Sequence, residues 1–423
     1  MKKGLLLSIA ASVMIFAGGD IAPVEPAAPA SADFWGQIGF AYQFQDEDWK
    51  GLDFGDTEDN AFSTSLVLGV EKELGAGFGF GAELAGWTDF GLDIADGSRV
   101  ESGDQTSAEV SQAYLTYTFG NTAIKAGRQA LPKAVSPWAW SDRSAGVIDW
   151  SYDGIVVANT DLADTTLIAA WIAQIYHNGD EQYHVSENAG LFMLGLVNKS
   201  LANTTIHAAG YYVPESKYDI NRYDYDTNGN VIDDRGASDT WSLWADAVTE
   251  INGITLGVQG AYVDGSFSNT DATFAIAGKI GSKWGDFDAE LVASYINDGD
   301  YGLMMAGTQL EDSALWTDNE DNADIIRHYD HTGVNDYSQG QAAILVKAGY
   351  ALPVGKLYGS LGYWDYDNAK SGDLENTFGA RLGYKFNVMG VDSKVEYRYR
   401  DRSIKDDKDQ TRQRIRVEAY YKF

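Results

Sequence analysis

Between residues 381 and 416, basic side chains recur in steps of two or four: Arg381 and Lys385, then Lys394, Arg398 and Arg400, then Arg412, Arg414 and Arg416. Such steps place each set on one face of an extended strand, because successive side chains alternate between faces. A guanidinium stays charged at any relevant pH and stacks on rings or forks onto carboxylates. Three such sets on successive strands would form a basic wall able to orient charged solutes. The other reading of the same residues is a solvated polar face that neutralises Glu396, Asp401, Asp406 and Glu418.

A second group lies in the stretch ALPKAVSPWAWSDRSAGVIDWSYDG, residues 130–154. Three tryptophans, Trp138, Trp140 and Trp150, are too many for a freely solvated loop, and Pro132 and Pro137 stiffen it. Folded inward, this segment would be a constriction carrying Lys133, Asp142, Arg143, Asp149 and Asp153 towards a central axis. Folded outward, it would be a lid over neighbouring loops.

Asp224, Asp226 and Asn228 alternate oxygen donors ahead of Gly229, in partial likeness to a calcium-binding loop. Arg235 stands where that loop would need a bidentate glutamate, so an acidic hydrated loop is the competing reading. No cofactor is required, and calcium is the one candidate ion. The five histidines, His177, His184, His207, His328 and His331, form no convincing site, and no serine–histidine nucleophile segment is evident. An enzyme is not expected.

The elements that must position these residues are strands. Phe34, Gly36, Ile38, Phe40, Tyr42 and Phe44 alternate with Trp35, Gln37, Gly39, Ala41 and Gln43, and Thr411 to Phe423 alternates arginines with Ile415, Val417, Ala419 and Tyr421. Alternation of this kind marks strands with one polar and one apolar face. It recurs in eighteen segments, near 34–45, 61–73, 77–88, 108–119, 122–130, 153–159, 165–176, 189–199, 203–213, 239–250, 253–263, 272–284, 286–297, 340–351, 354–365, 374–386, 391–401 and 411–423. Many of these are long enough for a tilted strand to cross a bilayer.

Connections alternate between short ones, such as Gly120-Asn121 and Asn252-Gly253, and long ones, such as Asp89 to Ser107 and Asp298 to Gln339. All seven prolines lie outside the expected strands, where they would otherwise remove a ladder hydrogen bond. The expected fold is all-β: a transmembrane antiparallel barrel of about eighteen strands with short periplasmic turns and long extracellular loops. Apolar faces would meet lipid and polar faces a water-filled lumen.

Lys2, Lys3 and the apolar run Leu5 to Ala17 read as a signal peptide over residues 1–17, with the cut at 17–19. Residues 18–33 form a periplasmic lead-in and residues 34–423 the barrel. The chain has no cysteine, so nothing points to disulfides or thiolate-bound metal. A net charge of −31 leaves no basic footprint for nucleic acid. The partners expected are outer-membrane lipid and lipopolysaccharide, with small hydrophilic solutes and ions in the lumen. The functional expectation is a modestly cation-selective channel for passive diffusion across a bacterial outer membrane. The alternative is a structural or adhesive outer-membrane barrel with acidic surface loops.

The run EVSQAYLTYTFGNTAIKAGRQALPKAVSPW (109–138), followed by SYDGIVVANTDLADTTLIAAWI (151–172), resembles the major outer-membrane porins of the Campylobacter type, relatives of the OprD-like specific porins. The matching residues include Gln112-Ala113-Tyr114-Leu115, Phe119-Gly120-Asn121-Thr122 and Gly127-Arg128-Gln129; the stretch from Gly18 to Pro26 is similar to that family's mature start. The resemblance implies an eighteen-stranded, trimeric porin with a folded-in third loop and a calcium-associated pore.

Overall fold

The computed structural model describes residues 32–47, 61–88, 106–138, 140–141, 150–177, 181–184, 189–216, 223–225, 231–234, 238–266, 271–299, 315–317, 328–329, 335–336, 340–366, 374–405 and 409–423. The expected signal peptide and most of the lead-in lie outside the described residues.

Eighteen strands build the wall. The first six are β1 (Asp33–Glu47), β2 (Ala61–Gly75), β3 (Phe78–Thr88), β4 (Ser107–Phe119), β5 (Thr122–Gln129) and β6 (Ser151–Asn159). The next six are β7 (Thr165–His177), β8 (Leu191–Asn198), β9 (Thr204–Ser216), β10 (Ser238–Ile251), β11 (Ile254–Gly265) and β12 (Thr273–Trp284). The last six are β13 (Phe287–Ile296), β14 (Gln341–Ala351), β15 (Lys356–Tyr366), β16 (Leu374–Val388), β17 (Val391–Ile404) and β18 (Gln410–Lys422).

Each strand pairs antiparallel with the next, and β18 returns to β1 in a continuous register from Gln37↔Lys422 to Glu47↔Arg412. The eighteen-strand sheet therefore closes on itself as a barrel, which lets its ladder hydrogen bonds form away from water. All eighteen expected segments are strands. A short strand, Glu181–His184, extends the pairing of β7, and two small hairpins, Tyr223–Tyr225 with Val231–Asp234 and His328–Tyr329 with Asn335–Asp336, stand in the long connections.

Residues paired directly across strands share a face, so register carries the face assignment around the ring. Leu66, Leu194, Val258, Ile276, Ile344, Leu361 and Leu382 are exposed and point outward. At the short-turn end, stacked pairs Phe78–Tyr117, Trp284–Phe287, Tyr384–Phe386 and Tyr421–Phe423 have ring centroids 4.4, 6.0, 5.1 and 6.1 Å apart. At the long-loop end, Phe40–Phe62 and Phe378–Tyr399 sit at 5.3 and 6.4 Å. An aliphatic band between two aromatic belts is the outer surface of a barrel in lipid. Turns fit the same logic: Asn252 and Gly253 both take positive φ (52° and 79°), the geometry of a two-residue hairpin turn.

One expectation about proline is corrected. Pro214 lies inside β9, at a register shift between Val213 and Ser216. A bulge leaves a residue without a ladder partner, so the missing N–H costs no hydrogen bond there.

Candidate functional site: the lumen wall and its inward loops

The lumen face of β16 to β18 carries all eight basic residues expected of a wall. Register sets Arg381 beside Arg398, Arg398 beside Arg414, Arg400 beside Arg412, and Lys385 beside Lys394. Like charges directly across a ladder destabilise it, so the arrangement needs counter-charge. Glu396 on β17 supplies part of it. Its carboxylate accepts Arg381 Nε at 2.5 Å, pairs with Arg398, and accepts the Tyr358 hydroxyl of β15. Glu418 on β18 pairs with Lys394 Nζ at 2.9 Å and Arg416 Nε at 2.6 Å. Arg398, Arg400, Arg414 and Arg416 are buried within this layer. Arg402 joins them, buried on the same face. Arg402 continues the alternation from Lys394 through Arg400, one residue beyond the expected strand end at 401.

The described residues of the loop after β5, 130–138 and 140–141, pack inside the barrel. Trp138 is fully buried, its ring 5.9 Å from that of Tyr211, a lumen-facing residue of β9. The Tyr211 hydroxyl lies 3.0 Å from Ser136 Oγ and accepts the Trp138 N–H at 3.2 Å. Tyr152 on β6 donates its hydroxyl to the Trp140 carbonyl at 2.9 Å. Ser141 N–H donates to the Leu131 carbonyl at 2.7 Å, which closes the base of the loop. The loop rests on a lumen face that is locally apolar: Ile168, Ala170, Ile172, Met193, Ala209 and Val213 cluster with Leu131 and Trp138. A lumen lined only by polar side chains was expected, and the apolar stretch is what anchors the loop.

Among the expected constriction residues, Lys133 is exposed with Nζ 4.2 Å over the Trp140 ring. Asp142, Arg143 and Asp149 lie outside the described residues. Asp153 does not approach the axis, contrary to expectation. Strand β6 begins at Ser151, and its register with β5 turns Tyr152 inward and Asp153 outward. There Asp153 accepts Arg128 Nε at 3.1 Å, and the Arg128 guanidinium stacks 3.2 Å over the Tyr176 ring.

A second inward segment, residues 315–317, was not foreseen. Trp316 N–H donates to Gln259 Oε1 at 3.1 Å, Lys347 Nζ donates to the Trp316 carbonyl at 2.9 Å, and Thr317 Oγ1 lies 2.6 Å from Ser294 Oγ. Lys279 Nζ sits 4.2 Å over the Trp316 ring. One tryptophan in a long acidic stretch gave no periodic signal to read. Between the two inward segments and the wall lies a cavity of about 350 Å³, lined by Lys133, Pro137, His207, Trp244, Asp246 and Trp316 among others. His207 Nδ1 is 2.8 Å from Asp246 Oδ1.

The lumen wall of β2 to β5 carries two glutamates, each with hydrogen-bond donors. Tyr114 donates to Glu71 at 2.5 Å, Lys125 Nζ lies 3.7 Å over the Tyr114 ring, and Glu83 accepts Ser111 at 2.7 Å and Gln112 at 3.0 Å. Of the candidate calcium ligands, Asp224 lies in the short hairpin opposite Asp233, while Asp226 and Asn228 fall outside the described residues. No group of three or more metal-ligating side chains occurs among the described residues.

This closed barrel with inward loops is similar to solved structures from Pseudomonas aeruginosa. The outer membrane protein OpdK superposes with a TM-score of 0.67 at 11% identity, over 92% of this chain and 99% of that one. OpdO gives 0.66 at 12% identity over 93% and 97%, and OccD3 (OpdP) gives 0.65 at 14% over 94% and 92%. The fold is that of an outer-membrane porin. At such identities the likeness carries the fold alone. No family model matches the chain, and no curated protein matches it. In this fold the long connections gather at one end of the barrel and the tight turns at the other.

Proposed function

We propose that the chain is a porin that lets ions and small hydrophilic solutes diffuse passively through its lumen, with modest preference for cations. The observation that carries this reading is the charged lumen face of a closed eighteen-strand barrel: a basic wall on β16 to β18, across the ring from an inward loop anchored on Tyr211 of β9. A wall built to be inert would not keep five arginines buried against the lumen side. The net charge of −31 concentrates cations at the mouths. Glu396 and Glu418 offset part of the basic wall, so the arginines orient solutes without making the pore anion-selective. Charges at close quarters in a pore set such preferences.

Three finer readings belong with this one. The stretch 109–138 supports kinship with the Campylobacter-type porins, and with it a homotrimer. The acidic loops support contact with lipopolysaccharide through divalent ions, and calcium is the ion to test. The outward aliphatic band supports direct contact with lipid. Swelling of liposomes carrying the purified protein tests the function. Swelling rates should fall steadily from small to larger sugars, and a failure of even the smallest sugar to enter would refute the channel.

A further inference from the structure

Glu396 is completely buried in the wall of a channel, yet every contact it makes is one that an anionic solute would seek. Its carboxylate takes Arg381 Nε at 2.5 Å from β16, the Arg398 guanidinium from its own strand, and the Tyr358 hydroxyl from β15. Two guanidiniums and a phenol around one carboxylate make an anion site of the charge-assisted kind. Here the protein's own chain fills it. The Arg381 guanidinium also lies 5.5 Å over the Tyr358 ring and Lys385 Nζ 5.2 Å over the same ring, so the donors are held in place from a second side.

We propose that Glu396 is a specificity-determining residue of the pore: its carboxylate occupies, from within the wall, the anion site formed by Arg381, Arg398 and Tyr358. The site is thereby closed to permeating anions. Glu396 touches the cations and not the solute, so it acts by positioning and neutralising. The inference rests on the reading of the chain as a cation-preferring porin. It explains how a lumen with so many arginines can still favour cations, since Arg381 lies beside Arg398 and both converge on one buried acid. Removing one partner of a buried charged group leaves the other uncompensated, so the loss of Glu396 should turn an occupied site into a vacant one.

The test compares wild type, Glu396→Gln, Glu396→Asp and the double variant Glu396→Gln with Arg381→Gln, each in planar bilayers. Reversal potentials in a potassium chloride gradient give selectivity, and inorganic sulfate added to one side gives block. The Gln variant should shift the potassium-to-chloride permeability ratio towards chloride by about twofold or more and gain block by millimolar sulfate. The Asp variant should retain wild-type selectivity and show no block, and the double variant should lose the block. A Gln variant that conducts with the wild-type ratio and no sulfate block overturns the proposal. So does an Asp variant that changes as much as Gln, because packing rather than charge would then be at work. If the Gln variant does not assemble, sulfate block of the wild type alone decides, since an occupied site predicts none. A wild-type channel that strongly prefers chloride would instead refute the cation-preferring reading, whatever Glu396 does.

Discussion

Gly36 and Phe423 exchange both backbone hydrogen bonds, at 2.8 and 2.9 Å, and so close the ring between β1 and β18 at the short-turn end. The Phe423 ring lies over Gly36 so closely that a Cβ there would come 2.4 Å from its Cζ. Aromatic side chains laid over glycines on a neighbouring strand are a recognised way to fix register in a sheet. Deleting residues 420–423 should therefore stop assembly, and Gly36→Val should weaken it. Heat-modifiable migration of membrane protein measures both. Normal amounts of folded truncated protein would show that closure does not depend on this contact.

The strands were readable because lipid on one side and water on the other impose a strict alternation over each crossing. The basic wall was readable for the same reason: once β16, β17 and β18 are placed, parity alone puts Arg381, Arg398 and Arg414 on one face. Parity failed where an element boundary was misjudged. Asp153 both opens the expected strand 153–159 and belongs to the expected constriction, and only the true start of β6 at Ser151 and its register turn it outward; Arg402 lies one residue past the expected end of β17. Long-range packing left no pattern to read. Trp316 finds Gln259 and Lys347 only after the barrel has formed. The counter-charge role of Glu396 also depends on three strands at once, although its position on the lumen face was visible.

The inward loop depends on Tyr211. Tyr211→Phe removes the hydroxyl that meets Ser136 and accepts the Trp138 N–H. Leaving buried polar groups without partners costs about 1–3 kcal/mol, enough to loosen the loop without unfolding the barrel. Open-channel current should become noisier in this variant. Deleting residues 132–150 should raise conductance outright. An unchanged conductance in the deletion would place the loop outside the conducting path.

Charge substitutions should separate lumen from outer wall. Arg414→Gln together with Arg416→Gln removes two cations from the lumen face and should raise cation preference. Asp153→Asn acts on an outward residue paired with Arg128 and should leave selectivity unchanged. Reversal potentials in a salt gradient read both. A selectivity change in the Asp153 variant would mean that β6 faces the other way.

The short turn after β6 carries a small pH dependence. Asp161 accepts the side-chain amides of Asn159 at 2.8 Å and Asn121 at 3.0 Å, and these bonds hold its carboxyl below the usual aspartate range. The ionised form is favoured in the folded barrel. Its contribution is thus present above the unfolded aspartate pKa and lost as pH falls through the lower folded value. Asp161→Asn should lower the temperature of the heat-modifiable shift slightly at neutral pH, with the difference vanishing in acid. A difference that persists in acid would mean that the carboxylate charge is irrelevant there.

Single-channel recording of the purified wild-type protein in planar bilayers tests the central claim most directly. A barrel whose lumen holds water between a basic wall and two inward loop segments predicts a steady open current of nanosiemens scale, with a reversal potential on the cation side. A protein that inserts into the bilayer, folds by the heat-modifiable criterion and passes no steady current would contradict it.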